Sequence, residues 1–171
     1  MRVIKDKTKT PGSLKKIISR LKKRGKKIAF SNGCFDIIHS GHVDYLEKAK
    51  KLSDILIVAL NSDASVKRIK GPLRPINTLK NRMNMVAALE SVDFVTYFNQ
   101  NTPLEIIKYL KPDLLIKGGD WKKNKVVGKD IVASYGGRTL TLPFRKGQST
   151  SRMIERIGKI SRKKSISRSG C

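Results

Sequence analysis

Two hydrophobic periods alternate along this chain, and each marks one kind of element. Leu14, Ile17, Ile18 and Leu21 fall at i, i+3, i+4 and i+7, one face of a helix with lysines around the rest. Ser13 as N-cap and Gly25 just past the end frame a predicted helix over residues 14–24. A short strand at 27–31 follows, then a helical stretch to about Leu52 with Val43, Leu46, Ala49 and Lys50 at helical spacing. From Ile55 to Leu60 six aliphatic residues run unbroken, so 54–60 reads as a strand buried on both faces of a parallel sheet. The pattern then predicts a helix over 64–70, a loop over 71–77 holding Pro72 and Pro75, and a helix over 79–90. A strand at 94–98 leads to a helix with Pro103 at its first position, a strand at 114–117, and a turn at Gly118-Gly119-Asp120. A helix near 129–135, a strand over 138–142 and a final helix from about 149 to 160 complete the series. Strands alternate with helices five times, which predicts an α/β fold, a parallel sheet with helices on both faces. In such sheets ligands sit beyond the carboxyl ends of the strands, where the strand order reverses.

Composition narrows the class. A chain of 171 residues holds one domain, and an apolar content of 39% is enough for a core. The longest aliphatic run is far below the roughly 20 residues of a membrane helix, and no apolar leader occupies the first thirty residues. A cytoplasmic protein without membrane insertion is expected. Two cysteines, Cys34 and Cys171, are too few for a disulfide scaffold or a four-cysteine zinc site. The net charge of +25 is uneven: residues 1–27 carry 12 basic and 1 acidic residue, and residues 156–171 carry 6 basic and none acidic. That distribution divides the chain into a basic N-terminal helix (1–26), the main domain (27–160) and a basic, disordered tail (161–171). A surface this basic gathers anions. On charge alone a nucleic-acid-binding module is an alternative, but Phe30, Phe35, Tyr45 and Phe94 lie inside apolar runs rather than among the basic stretches, so nucleic acid is not the expected partner.

The chemistry concentrates after the first strand, in Asn32-Gly33-Cys34-Phe35-Asp36-Ile37-Ile38-His39-Ser40-Gly41-His42, which holds the only two histidines. At i and i+3 of an opening helical turn, His39 and His42 face one point. Gly41 leaves the backbone free to approach a ligand, and the helix start adds unpaired N–H groups and a positive dipole end. Two imidazoles with that dipole suit the holding of a phosphate as charge builds on it. No third and fourth ligand stand at metal spacing, so no metal site is expected at these histidines. Cys34 reads as a small residue at a strand end, with no base placed to activate it.

This segment resembles the signature of the cytidylyltransferase-like nucleotidyltransferases, enzymes with a Rossmann-like sheet that move a nucleotidyl group from a nucleoside triphosphate to a phosphorylated acceptor. Within that superfamily the features Asn61-Ser62-Asp63, Lys67-Arg68-x-Lys70-Gly71, Arg74-Pro75, Lys117-Gly118-Gly119-Asp120 and Ser149-Thr150 are most similar to the adenylyltransferase domain that makes ADP-heptose for bacterial lipopolysaccharide. The resemblance covers roughly residues 27–158. It implies His39 and His42 as catalytic residues, and nucleotide binding by Asn32, Gly33, Cys34, Phe35, Gly41, Lys117, Gly118 and Asp120. Ser149, Thr150 and Ser151, opening the last helix, would hold the outer phosphates. Asp36, Lys67, Lys70, Arg74 and Arg82 are expected at the acceptor or the phosphates.

The implied reaction transfers AMP from ATP, carried with Mg²⁺, to D-glycero-β-D-manno-heptose 1-phosphate. The rival within the superfamily, a glycerol-3-phosphate-type cytidylyltransferase, places an arginine ahead of the closing Gly-x-Ser-Thr; here Phe144 stands there and Arg145 follows. In many bacteria the ADP-heptose domain is fused to a sugar kinase, for which this chain leaves no room, so the kinase is expected as a separate partner. An exposed apolar helix face would allow a homodimer.

Overall fold

Five parallel strands form one sheet in the computed structural model, which describes residues 3–119, 126–143 and 150–166. They are β1 (Ile28–Gly33), β2 (Ile55–Asn61), β3 (Phe94–Phe98), β4 (Leu114–Gly118) and β5 (Arg138–Leu142), in spatial order β3-β2-β1-β4-β5. The chain builds outward from β1 through β2 to β3, then crosses back to lay β4 on the other side of β1. The order reverses between β1 and β4, whose register pairs Ala29 with Leu114 and Phe30 with Leu115.

The two faces of the sheet are covered by different helices. Side chains alternate along β1: Ile28 and Phe30 join a core with Leu14 and Ile18 of α2 (Pro11–Lys23), Ile107 and Leu110 of α6 (Leu104–Leu110) and Val132 of α7 (Lys129–Ser134). Ala29 faces the opposite core with Leu46 and Ala49 of α3 (Ser40–Lys50) and Val86 and Ala87 of α5 (Leu79–Ala87). β2 is buried along its whole length. The expected sheet with helices on both faces is therefore observed. The segment before residue 27 belongs to the same core through Leu14 and Ile18, and the chain ahead of it lies along the sheet edge, where Lys9 N–H donates to the Val95 carbonyl at 2.9 Å.

Several boundaries differ from the pattern. α2 starts at Pro11 rather than Leu14, because Pro11 presets the first-turn φ and Thr10, not Ser13, caps: the Ser13 N–H donates to Thr10 Oγ1 at 3.3 Å. A single turn, α1 (Ile4–Lys7), is too short to leave a periodic signal. The helix of α5 ends at Ala87, short of Glu90. α4 (Asp63–Lys70) is capped by Ser62, whose Oγ accepts from Ser65 N–H at 3.1 Å. The last helix, α8 (Thr150–Ile166), continues past residue 160 as far as Ile166, since Met153, Ile157 and Ile160 keep helical spacing beyond its first turns and lysine and arginine are good helix formers; residues 167–171 of the expected tail lie outside the described residues. Among the described residues no helix is long and apolar enough to cross a membrane.

Candidate active site

β1 and β4 end side by side at Gly33 and Gly118, and the histidine segment leaves from the first of these. Phe35 takes a left-handed backbone (φ 47°), a costly conformation for an aromatic residue. Its ring folds back over Gly33, where an added Cβ would meet the ring at 3.0 Å. Glycine lets the ring sit this close; a side chain there would push it by a few tenths of an ångström. The same ring lies 5.2 Å from His42, tilted by 49°.

His39 is the N-cap of α3 in extended backbone, and His42 sits at the third position of the helix, with Gly41 buried between them. The helical turn stacks the two imidazoles at 3.9 Å between centroids, with planes inclined by 32°. Burial lowers the pKa of both; for His42, burial and then the charge of His39 bring it to about 4. Both rings are therefore neutral at pH 7. His42 Nδ1 accepts the His39 N–H at 3.4 Å, so the neutral ring carries its proton on Nε2 and donates from there. His39 Nδ1 is buried with no hydrogen-bond partner among the described residues. A buried polar atom without a partner is costly.

The loop ahead of the histidines is fastened on both sides. Thr150 Oγ1, at the start of α8, donates to the Ile37 carbonyl at 3.2 Å, which brings that helix start to the histidine loop. Asp36, 2% exposed, accepts from Arg74 Nε at 2.6 Å, from Ile76 N–H at 2.9 Å and from Asn77 N–H at 2.9 Å. Burial works against its charge, but the N–H groups of Asn77 and Ile76 and the Arg74 guanidinium outweigh it and hold the carboxyl below the usual range. These contacts pin the 71–77 loop to the end of the histidine segment. Arg82 is fully buried and donates to the carbonyls of Cys34, Asn61 (2.8 Å) and Asn77 (3.0 Å) and to Asp63 Oδ1 at 2.7 Å, so it ties three loops together.

The remaining cations divide. Lys70 and Arg74 stand near enough to Cys34 for their charges to act on its thiol, whereas Lys67, exposed on α4, is not among the charges felt there. Burial nonetheless dominates and raises the Cys34 pKa, which keeps it a thiol at pH 7 and unsuited to nucleophilic attack. Lys117 lies inside, 3.5 Å from the Asn32 carbonyl; burial pulls its pKa down to about 8, against a small opposing influence of Cys34. Asp120, Ser149 and the side chain of Ser151 lie outside the described residues. Among the described residues no three His, Cys, Asp or Glu side chains converge as a metal-ligand set.

Two cavities open on this end of the sheet. One of about 190 Å³ is lined by Phe35, His42, Tyr45 and Gly118, and one of about 340 Å³ by Asn61, Ile69, Asn101, Thr102 and Val127; Asn32, Gly33, Cys34 and Lys117 belong to both. Asn61, Asn101 and Thr102 were not selected from the sequence as site residues. Their signal was positional: Asn61 ends the aliphatic run of β2, and Asn101 and Thr102 follow β3, so both groups leave a strand at its carboxyl end.

Comparison with known proteins agrees with this geometry. The bifunctional protein HldE of Hahella chejuensis is 52% identical over 150 residues, covering 88% of this chain and 31% of that protein. HldE of Campylobacter jejuni serotype O:6 is 54% identical over 145 residues, covering 85% and 31%. The chain thus spans about a third of the length of these relatives. Among solved structures, the lipopolysaccharide core biosynthesis protein of Thermoplasma volcanium superposes with a TM-score of 0.59 at 27% identity, over 72% of this chain and all of that one. A Francisella tularensis pantoate-beta-alanine ligase shares the fold at 16% identity, with a TM-score of 0.59 over 84% of this chain and 68% of that one. The cytidylyltransferase-like family profile matches residues 30–156, from the end of β1 into α8, and so takes in both histidines and both cavities. This chain belongs to the cytidylyltransferase-like family of nucleotidyltransferases.

Proposed function

We propose that this chain is an adenylyltransferase that moves AMP from ATP to D-glycero-β-D-manno-heptose 1-phosphate, giving ADP-heptose and pyrophosphate. The observation that carries the reading is the stacked, neutral His39–His42 pair at the β1–β4 switch point. Its similarity to the HldE proteins and to a lipopolysaccharide core biosynthesis protein supports the sugar acceptor.

An oxygen of the acceptor phosphate attacks the α-phosphorus of ATP. The new P–O bond forms as the bond from Pα to the bridging oxygen breaks, and that electron pair leaves with pyrophosphate. The attacking phosphate is already an anion at pH 7, so no general base is needed, and catalysis consists of positioning and charge stabilisation. His42 Nε2–H donates to the phosphate region where charge develops. His39 approaches from the same helical turn, and the start of α8 at Thr150 lies against the same loop for the departing phosphates. The triphosphate favours the charged form of both imidazoles, so binding raises pKa values that burial has lowered. ATP enters as its magnesium complex, an ion that keeps its own waters and needs few protein ligands. A sugar kinase supplies the acceptor.

Pyrophosphate release tests the proposal: ATP or CTP, each with the heptose 1-phosphate or with glycerol 3-phosphate. Release only from ATP with the heptose phosphate is expected. Release from CTP with glycerol phosphate would keep the chemistry and overturn both substrates, and silence in all four mixtures from folded protein would overturn the proposal.

A further inference from the structure

The crevice between β1 and β4 opens because their pairing stops early. β1 keeps its register with β2 as far as Gly33 and Leu60, whereas its register with β4 ends at Phe30 and Leu115. The next level holds Ser31 and Ile116, both fully buried, and there a side chain of α3 stands between the strands. Tyr45 Oη donates to the Ile116 carbonyl at 2.8 Å and lies 2.7 Å from Ser31 Oγ. A phenol has one proton, and the carbonyl takes it, so the Ser31 hydroxyl donates to Tyr45. One directed chain, from Ser31 through Tyr45 to Ile116, closes the gap where the ladder stops.

Packing alone would accept a phenylalanine at this position. The Tyr45 ring belongs to the apolar core with Ala29, Leu46 and Ile116, and the residue is 3% exposed. Burial raises its pKa beyond the usual phenol range, against a smaller influence of Ser31, so the hydroxyl remains a neutral donor. What the oxygen adds is direction. Leu46 and Ala49 hold α3 to the sheet through apolar contacts, which carry no direction of their own. The hydroxyl is tied to β1 and β4 at once and fixes where the start of α3 stands along them. His42 lies one helical turn ahead of Tyr45, and the two side chains line the same cavity of about 190 Å³. The His39 and Phe35 rings bound His42 sideways, while Tyr45 sets its height above the strands.

We infer that Tyr45 is a positioning residue for nucleotidyl transfer: by tying α3 to both strands where they part, its hydroxyl sets His42 against the reacting phosphates. The assignment rests on the adenylyltransferase reading and deepens it with a group that acts through another. A donor stabilises developing charge only at hydrogen-bond distance, and a misplacement on the order of 1 Å costs up to about 10²-fold in rate. Ser31 shares the role, since its proton completes the tie on the β1 side.

The test measures pyrophosphate release from ATP and the heptose 1-phosphate in Tyr45→Phe and Ser31→Ala, each alone and each combined with His42→Ala. Tyr45→Phe is expected to lower kcat about tenfold, with KM for ATP within about twofold. Ser31→Ala keeps the tyrosine and removes one donor, and is expected to lower kcat about threefold. In the His42→Ala background either change should lower kcat by less than about twofold, because a residue that acts through His42 has nothing left to position. A merely structural tyrosine would cost the same factor in both backgrounds. Equal factors in the two backgrounds, or wild-type kcat in folded Tyr45→Phe, overturn this assignment and leave the reaction standing. Should Tyr45→Phe fail to fold, Ser31→Ala decides by the same comparison of backgrounds. Wild-type silence with the heptose 1-phosphate overturns the adenylyltransferase reading and this assignment with it.

Discussion

The two ends of the sheet hold their charges in different ways. At the amino edge the strand starts are closed by carboxylates: Asp113 Oδ2 accepts the Ile28 N–H at 2.8 Å, Asp54 Oδ2 the Lys27 N–H at 2.8 Å, and Asp93 Oδ2 the Leu56 N–H at 2.7 Å. Each acid also meets a lysine, Lys22, Lys26 or Lys50. Among the described residues the buried atoms His39 Nδ1 and Asn32 Oδ1 at the carboxyl edge have no partner, and Lys117 forms no ion pair. The amino edge is not fully satisfied either, since Ser53 Oγ, Tyr135 Oη and Thr139 Oγ1 near the strand starts are buried without partners among the described residues. What separates the ends is the device: carboxylates close the N–H groups of the strand starts, and no acid pairs with the lysine at the end of β4 among the described residues.

The largest effect that separates the two ends is catalytic. His39→Ala and His42→Ala should each lower kcat by roughly 10²–10³-fold, with a smaller change in KM for ATP and a thermal midpoint near that of wild type. Near wild-type turnover in either variant would remove the histidine pair from the mechanism. Next in size is Arg82, the exception at the carboxyl edge, since it is saturated where its neighbours are open. Arg82→Met leaves the Cys34 and Asn61 carbonyls without their donor and should cost about 3 kcal/mol in urea unfolding, with Asp63 partly rehydrated. If its role is positional, kcat should fall as loops loosen while the pH profile keeps its shape.

Acid should act on the carboxyl edge first. The folded-state pKa of His42, about 4, lies below its unfolded value near 6.5. The unfolded chain therefore binds the proton first as pH falls. The stability tied to a neutral His42 is complete above about pH 6.5 and is lost progressively toward pH 4. After discounting for partial exposure the loss is on the order of 2 kcal/mol. His42→Gln should flatten urea-unfolding stability across that window; an unchanged slope would mean the ring is not held neutral.

How far the sequence showed these ends depends on the kind of signal each left. The strands read well because β2 opens with an unbroken aliphatic run whose burial pattern is its sequence pattern, and the histidine segment stood out because His39, Gly41 and His42 are unusual residue types at a fixed spacing. The hydrogen-bond partners of Arg82 and Asp36 did not. A charge in a helix or a loop looks solvated until the fold surrounds it with carbonyls or N–H groups that lie far away in sequence, as Cys34 and Asn61 do for Arg82. The start of α2 was misplaced because Thr10 and Ser13 are both good caps, and Pro11 decides between them. Asn101 and Thr102 stayed hidden because what sets them apart is a cavity lining, and a cavity is a property of neighbours rather than of spacing.

The smallest prediction bears on whether the amino edge is a separate, purely stabilising end. Asp93 is 19% exposed, and its Oδ2 serves both the N–H of Leu56, itself fully buried, and Lys50 Nζ at 2.6 Å. Removing it in Asp93→Ala leaves that N–H without an acceptor in a place water reaches poorly, at a cost of about 1–2 kcal/mol in urea unfolding. Asp54 makes the same kind of contact at 41% exposure, so water replaces its carboxylate and Asp54→Ala should lose less. Neither variant should change kcat or either KM. Burial of the capped N–H, rather than the number of ion pairs, then sets the order of the two losses. Equal losses at the two sites would instead assign the stabilisation to the lysine pairing they share, and a fall in kcat at Asp93 would show that the two ends of the sheet are coupled.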